Sequence, residues 1–99
     1  MLDIKKSIEN DTTVLSLTGR LDTATAPQFD KFVGENTSGV TKLAIDFKEL
    51  EYISSAGLRV LLKAQKTMNA QGTMTVRNIN STISEILEVT GFSDILTIE

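Results

Sequence analysis

Two adjacent serines, Ser54 and Ser55, followed by Ala56 and Gly57, are the residues of this chain best placed to do chemistry. They stand inside residues 43–62, LAIDFKELEYISSAGLRVLL, where an alternating apolar run gives way to helical spacing. A serine in such a place can attack a substrate, accept a phosphoryl group or cap a helix. Nucleophilic attack needs a base, and the chain has neither His nor Cys. That removes a Ser-His-Asp relay, a thiolate nucleophile, disulfides and Cys/His metal sites. Lys63 is two turns along the helix from Ser55, too far to activate it directly. No Gly-x-Ser-x-Gly elbow and no phosphate-cradling Gly-rich loop is present. A small hydrolase or transferase is therefore disfavoured, and the expectation is no catalytic residue, no metal and no cofactor.

Phosphate acceptance fits the residues better. A helix N-terminus presents unpaired N–H groups and the positive end of the macrodipole, so a phosphate there gains hydrogen bonds and favourable charge. Ala56 and Gly57 put nothing bulky over the spot. The plainer reading is that Ser before a helix is an N-cap and Ala-Gly only permits close packing. On the residues alone that plainer reading leads, because such caps are common.

The elements that must position this turn follow from the pattern. Leu2, Ile4 and Ile8 alternate with polar residues as a strand. Asn10-Asp11 supplies a turn, and Val14 to Leu21 reads as the second strand of a hairpin, with Leu15, Leu17 and Leu21 on one face. Thr23 or Thr25 then caps a helix with Pro27 in its first turn, a stripe of Phe29, Phe32 and Val33, and an end in the polar loop from Gly34 to Gly39. Leu43, Ile45 and Phe47 alternate as a third strand, and Lys48 to Ile53 reads as a loop. Leu58, Leu61, Leu62 and Met68 recur at helical spacing up to Gly72, a candidate C′ residue. Met74 and Val76 mark a fourth strand, and Asn80, Ser81 or Thr82 caps a last helix with Ile83, Ile86 and Leu87 buried and Gly91 as its stop. Ile95 to Ile98 is a candidate short terminal strand. The expected fold is one small two-layer α/β domain over 1–99, with a mixed four- to five-stranded sheet and helices mainly on one face.

Composition sets limits on partners. The 99 residues suffice for one domain, and 40% apolar with 23% charged is ordinary for a globular chain. Net charge is −3 and the ten basic residues are scattered, which argues against nucleic acid. No apolar stretch follows the first charges, so no signal peptide is expected, and none is long enough to span a membrane. A soluble, cytoplasmic protein without membrane attachment is expected.

Three motifs carry a resemblance. YISSAGLRVLL at 52–62 resembles the signature loop of the STAS family, the domain shared by sulphate transporters and anti-sigma factor antagonists. Leu17-Thr18-Gly19-Arg20-Leu21-Asp22 resembles the family's second-strand motif, and Leu43-Ala44-Ile45-Asp46 its strand before the phosphorylation loop. The similarity spans nearly the whole chain in matching element order. In anti-sigma factor antagonists the phosphoacceptor is the serine followed by Ser, Thr or Ala and then Gly-Leu, which by this match is Ser55. Family members often carry Asp immediately before it; Ser54 stands there instead and is the alternative acceptor.

The resemblance implies a STAS-type fold and a non-catalytic partner switch. Unphosphorylated, the domain would bind a serine-kinase anti-sigma factor; phosphorylation of Ser55 would release it, and a serine phosphatase would reset it. Asp22, Thr23, Ser54, Ser55, Ala56, Gly57 and Leu58 are the implied partner-binding residues. For Asp22 and Asp46, a local capping role and a kinase-docking role stand as equals, and Tyr52 is either a core-edge residue or an interface anchor, with the core edge preferred. The nearest alternative is a STAS subunit of a lipid-transport ABC or sensory complex, acting by protein binding without phosphorylation.

Overall fold

The alternation at the start of the chain and the Asn10-Asp11 turn build a hairpin. In the computed structural model, which describes residues 2–99, β1 (Leu2–Glu9) and β2 (Thr12–Leu21) pair antiparallel with Ile4 opposite Leu17. Asn10 takes φ 57°, the left-handed conformation a tight turn needs and Asn tolerates. The chain then runs through α1 (Ala26–Asn36), β3 (Lys42–Ile53), α2 (Ser55–Gln71), β4 (Thr73–Arg77) and α3 (Ser81–Val89), ending in a 3₁₀ turn at Phe92–Asp94. The sheet order is β1-β2-β3-β4, with β3 parallel to both β2 and β4. This is the mixed sheet expected from the sequence.

The three helices cover one face. Phe29 and Val33 of α1, Leu58, Leu61 and Met68 of α2, and Ile83 and Leu87 of α3 join Leu15, Leu17, Leu43, Ile45, Phe47 and Val76 in a single core. The opposite face carries Asp3, Lys5, Ser16, Asp46 and Arg77, as a one-faced sheet should. Val14 and Ala44 on that face are nonetheless buried. The ion pair of Arg77 on β4 with Glu9 on β1, at 3.3 Å, links the two edge strands of the sheet.

Several sequence expectations need correction. Lys48 to Ile53 is strand, not loop: β3 holds two bulges, where Ser16–Thr18 on β2 faces Asp46–Glu49 and Gly19–Arg20 faces Leu50–Tyr52. Each extra residue changes the apolar spacing from two to three, so Phe47, Leu50 and Ile53 all face the core. The first helix runs through Gly34 to Asn36, and Thr37 closes it with its hydroxyl donating to the Val33 carbonyl at 2.8 Å. Gly72 does not sit in the left-handed region; its φ is 172°. Glycine is required there because a Cβ would overlap the Thr41 carbonyl. Ile95 to Ile98 forms no full strand, only a single parallel bridge from Ile98 to Val76. Ile8 keeps the alternation but is exposed, lying at the turn end of the edge strand β1.

Candidate functional site

Parallel strands that both turn into helices bring their carboxyl ends to one edge of a sheet, where ligands and partners commonly meet such folds. Here β2 ends at Leu21 and β3 at Ile53, paired side by side. Ser54 N–H donates to the Leu21 carbonyl at 2.8 Å, tying the turn before α2 to the turn before α1. The expected site residues Asp22, Thr23, Ser54 and Ser55 therefore lie in two adjoining turns.

The two serines have different work. Ser54 is the N-cap of α2: its backbone is extended (φ −96°, ψ 174°) and its Oγ accepts from Gly57 N–H at 3.4 Å. Its carbonyl accepts from Leu58 N–H at 2.9 Å. Ser55 is the first helical residue and is exposed. The hydroxyl that the resemblance marks thus stands in solvent at a helix beginning, while its neighbour holds the helix end together.

Ala56, Gly57 and Leu58 support this turn from beneath. Ala56 is half-buried against the core, and Leu58 is 2% exposed. Gly57 is buried because the first turn of α2 rests directly on the strand ends: a Cβ there would meet Leu21 Cγ at 2.6 Å and Ile53 Cγ1 at 3.0 Å. Gly57 and Leu58 can shape a partner surface only from inside, since their side-chain positions face the core.

Asp22 organises the other turn. Its Oδ1 accepts from the backbone N–H groups of Ala24 at 3.0 Å and Thr25 at 3.1 Å. Its own N–H donates to Thr25 Oγ1 at 2.9 Å, and that hydroxyl donates to the Arg20 carbonyl at 2.8 Å. The Thr25 N–H is the main cause that holds the Asp22 carboxyl below the usual carboxylate range, outweighing the opposing effect of burial. Thr25 occupies the N-cap position of α1 without a side-chain cap bond of its own, so Asp22 does the capping that Thr23 or Thr25 was expected to do. Thr23 is exposed beside it.

Asp46 lies away from this edge, on the uncovered sheet face. Its Oδ1 accepts from Lys48 N–H at 2.9 Å across the first bulge and from Asn78 Nδ2 at 3.0 Å. Its bonds are those of a bulge clasp. Tyr52, expected at the core edge, is half-exposed, and the Arg20 guanidinium lies 4.7 Å from its ring centroid. Sequence spacing could not find that pair, because Arg20 and Tyr52 become cross-strand neighbours only through the second bulge. Lys63 is taken up by Asp30 of α1 at 3.1 Å. Among the described residues no group of three or more His, Cys, Asp or Glu could hold a metal, and no helix is long and apolar enough to cross a membrane.

Comparison with known proteins fits this architecture. The anti-sigma-B factor antagonist of Bacillus subtilis is 30% identical over 99 residues, covering 98% of this chain and 88% of that protein. Among solved structures, an anti-sigma factor antagonist from Mycobacterium paratuberculosis superposes with a TM-score of 0.92 at 19% identity, covering 99% of this chain and 85% of its own. The Bacillus cell fate determinant SpoIIAA in its phosphorylated form gives a TM-score of 0.73 at 19% identity, covering 98% of this chain and 91% of its own. At that identity the two structures speak to the fold. The family model of the STAS domain matches residues 3–99, with the bulged β3, the capped turn and the exposed serine all inside the match. The chain belongs to the STAS domain family.

Proposed function

We propose that this domain is an anti-sigma factor antagonist that works as a partner switch, with Ser55 as its phosphoacceptor. The observation that carries the reading is the division of labour between the two serines. Ser54 Oγ is engaged in capping, whereas Ser55 is exposed on the first turn of a 17-residue helix. The similarity to the anti-sigma-B factor antagonist of Bacillus subtilis and to SpoIIAA in its phosphorylated form supports the same reading.

The unmodified domain binds a serine-kinase anti-sigma factor through the edge formed by Asp22, Thr23, Ser54, Ser55 and Ala56, with Gly57 and Leu58 holding that edge in shape. The partner supplies ATP and Mg²⁺. Ser55 Oγ forms a bond to the γ-phosphorus as the bond to the β-phosphate oxygen breaks, ADP leaves, and the hydroxyl proton passes to a base of the kinase. The domain contributes the hydroxyl and its placement.

The phosphate adds a charge of about −1.5 to −2 at one point. Inside a docked interface that charge loses water and must be repaid by the partner. A penalty of ~3 kcal/mol weakens binding about a hundredfold, with no refolding of the domain. A serine phosphatase restores the hydroxyl by hydrolysis.

The test is intact-mass measurement after incubation with ATP and the serine-kinase anti-sigma factor of the same organism, followed by site mapping. One phosphate on Ser55, lost in Ser55→Ala with partner binding kept, is the expected result. Phosphate retained in Ser55→Ala would move the acceptor to Ser54 or elsewhere. Binding to an ABC-transporter ATPase subunit in place of the kinase would assign the domain to that other assembly.

A further inference from the structure

Helix α2 has a charge composition that the fold does not require. Residues Ser55–Gln71 contain Arg59, Lys63 and Lys66 and no Asp or Glu, in a chain whose net charge is −3. Counted from Ser55 these cations fall at i+4, i+8 and i+11, which places all of them on one helix face with the serine. All three are exposed. Lys63 is paired with Asp30 at 3.1 Å, but among the ion pairs of the described residues neither Arg59 nor Lys66 appears. Arg59 is the fifth residue of the helix, nearer the end where the macrodipole disfavours cations, so it gains nothing from that source. Like charges one turn apart repel slightly. Apart from the Lys63–Asp30 pair, the stripe gains no ion pair within the described residues.

We propose that this stripe docks an acidic face of the partner protein, and that Arg59 couples phosphorylation of Ser55 to release. The proposal rests on the reading of Ser55 given above and adds the residue that transmits it. In the unmodified domain, Arg59 and Lys66 meet carboxylates of the partner. A phosphate on Ser55 lies one helical turn from Arg59, within the reach of an i, i+4 pair. The guanidinium fork suits a phosphate with two parallel hydrogen bonds, an arrangement that lysine does not reproduce. The phosphate therefore withdraws Arg59 from the partner and turns the head of the stripe from cationic to anionic. Attraction becomes repulsion at the same spot. A nucleic acid is a poorer occupant, because Asp30 of the neighbouring α1 already neutralises Lys63 and only two cations of the stripe are uncompensated.

Two measurements test this with separate failure modes. In the full chain with phosphoserine incorporated at position 55, ³¹P NMR titration reads the second phosphate ionisation directly. It should fall at lower pH in the otherwise wild-type protein than in Arg59→Gln, and Lys66→Gln should not move it. Equal titration in all three would overturn the role of Arg59, whatever the partner. In calorimetric binding to the serine-kinase anti-sigma factor, Arg59→Gln and Lys66→Gln should each weaken the unmodified domain roughly fivefold, with the loss shrinking as salt is raised. The ratio between phosphorylated and unmodified affinities should narrow in Arg59→Gln alone. Unchanged affinity in both variants would overturn the docking stripe while leaving the phosphoacceptor reading intact. No binding by the wild-type domain would instead defeat the proposed function, and stripe-dependent binding of a duplex DNA oligonucleotide would overturn the choice of a protein partner.

Discussion

Replacing Gly57 by alanine sets two physical effects against each other at the base of the candidate site. Alanine is the better helix former by about 1 kcal/mol, so propensity alone predicts stabilisation. The structure predicts the opposite sign. The new Cβ would stand 2.6 Å from Leu21 Cγ and 3.0 Å from both Ile53 Cγ1 and Leu21 Cδ2. Neither side chain can swing clear, because Leu21 is 0% and Ile53 1% exposed. Overpacking of this kind costs about 1–3 kcal/mol. Gly34→Ala is the internal control: it lies in α1 with nothing within 4 Å of its added Cβ, and should stabilise by about 0.4–1 kcal/mol. The steric term is the difference between the two variants, and each ~1 kcal/mol moves the midpoint of a domain this size by about 4–8 °C. Thermal unfolding followed by circular dichroism should place Gly57→Ala below Gly34→Ala by at least that much. Equal or higher stability in Gly57→Ala would refute the claim that the first turn of α2 is clamped onto the ends of β2 and β3.

The division of labour between the serines predicts unequal costs: Ser54→Ala should lose about 1 kcal/mol through the missing cap, while Ser55→Ala stays within about 0.5 kcal/mol of the parent in denaturant unfolding. Asp22, whose carboxyl is held below its ordinary range by the Thr25 N–H, contributes stability that is present above the unfolded carboxylate value and is lost as pH falls through the lower folded one. Asp22→Ala should therefore be less stable than the parent at neutral pH, with the gap closing on acidification; a gap that stays constant with pH would show that the carboxylate charge is not what caps α1.

The amphipathic segments were legible because their periods were clean. The hairpin, the stripes of α1, α2 and α3 and the alternation of Leu43, Ile45 and Phe47 each reported one buried face. Where the backbone departed from ideal geometry the pattern misled. Two bulges converted the apolar spacing of β3 to Phe47, Leu50, Ile53, and a strand looked like a loop. Gly72 looked like a left-handed cap, whereas its role is to let α2 end against the Thr41 carbonyl. Position 55 was legible as a helix beginning, yet sequence could not say which serine was occupied in capping. That depends on the extended backbone of Ser54 and its bond to Gly57. Nor could it show that the Asp22 carboxylate holds the turn before α1 while that of Asp46 clasps a bulge, which depends on where their oxygens point.

The most direct test of the switch is the affinity of the serine-kinase anti-sigma factor for this domain carrying phosphoserine at position 55, measured by calorimetry beside the unmodified form. Dissociation constants about a hundredfold apart are expected, the unmodified form being the tighter. Equal affinities would contradict the switch.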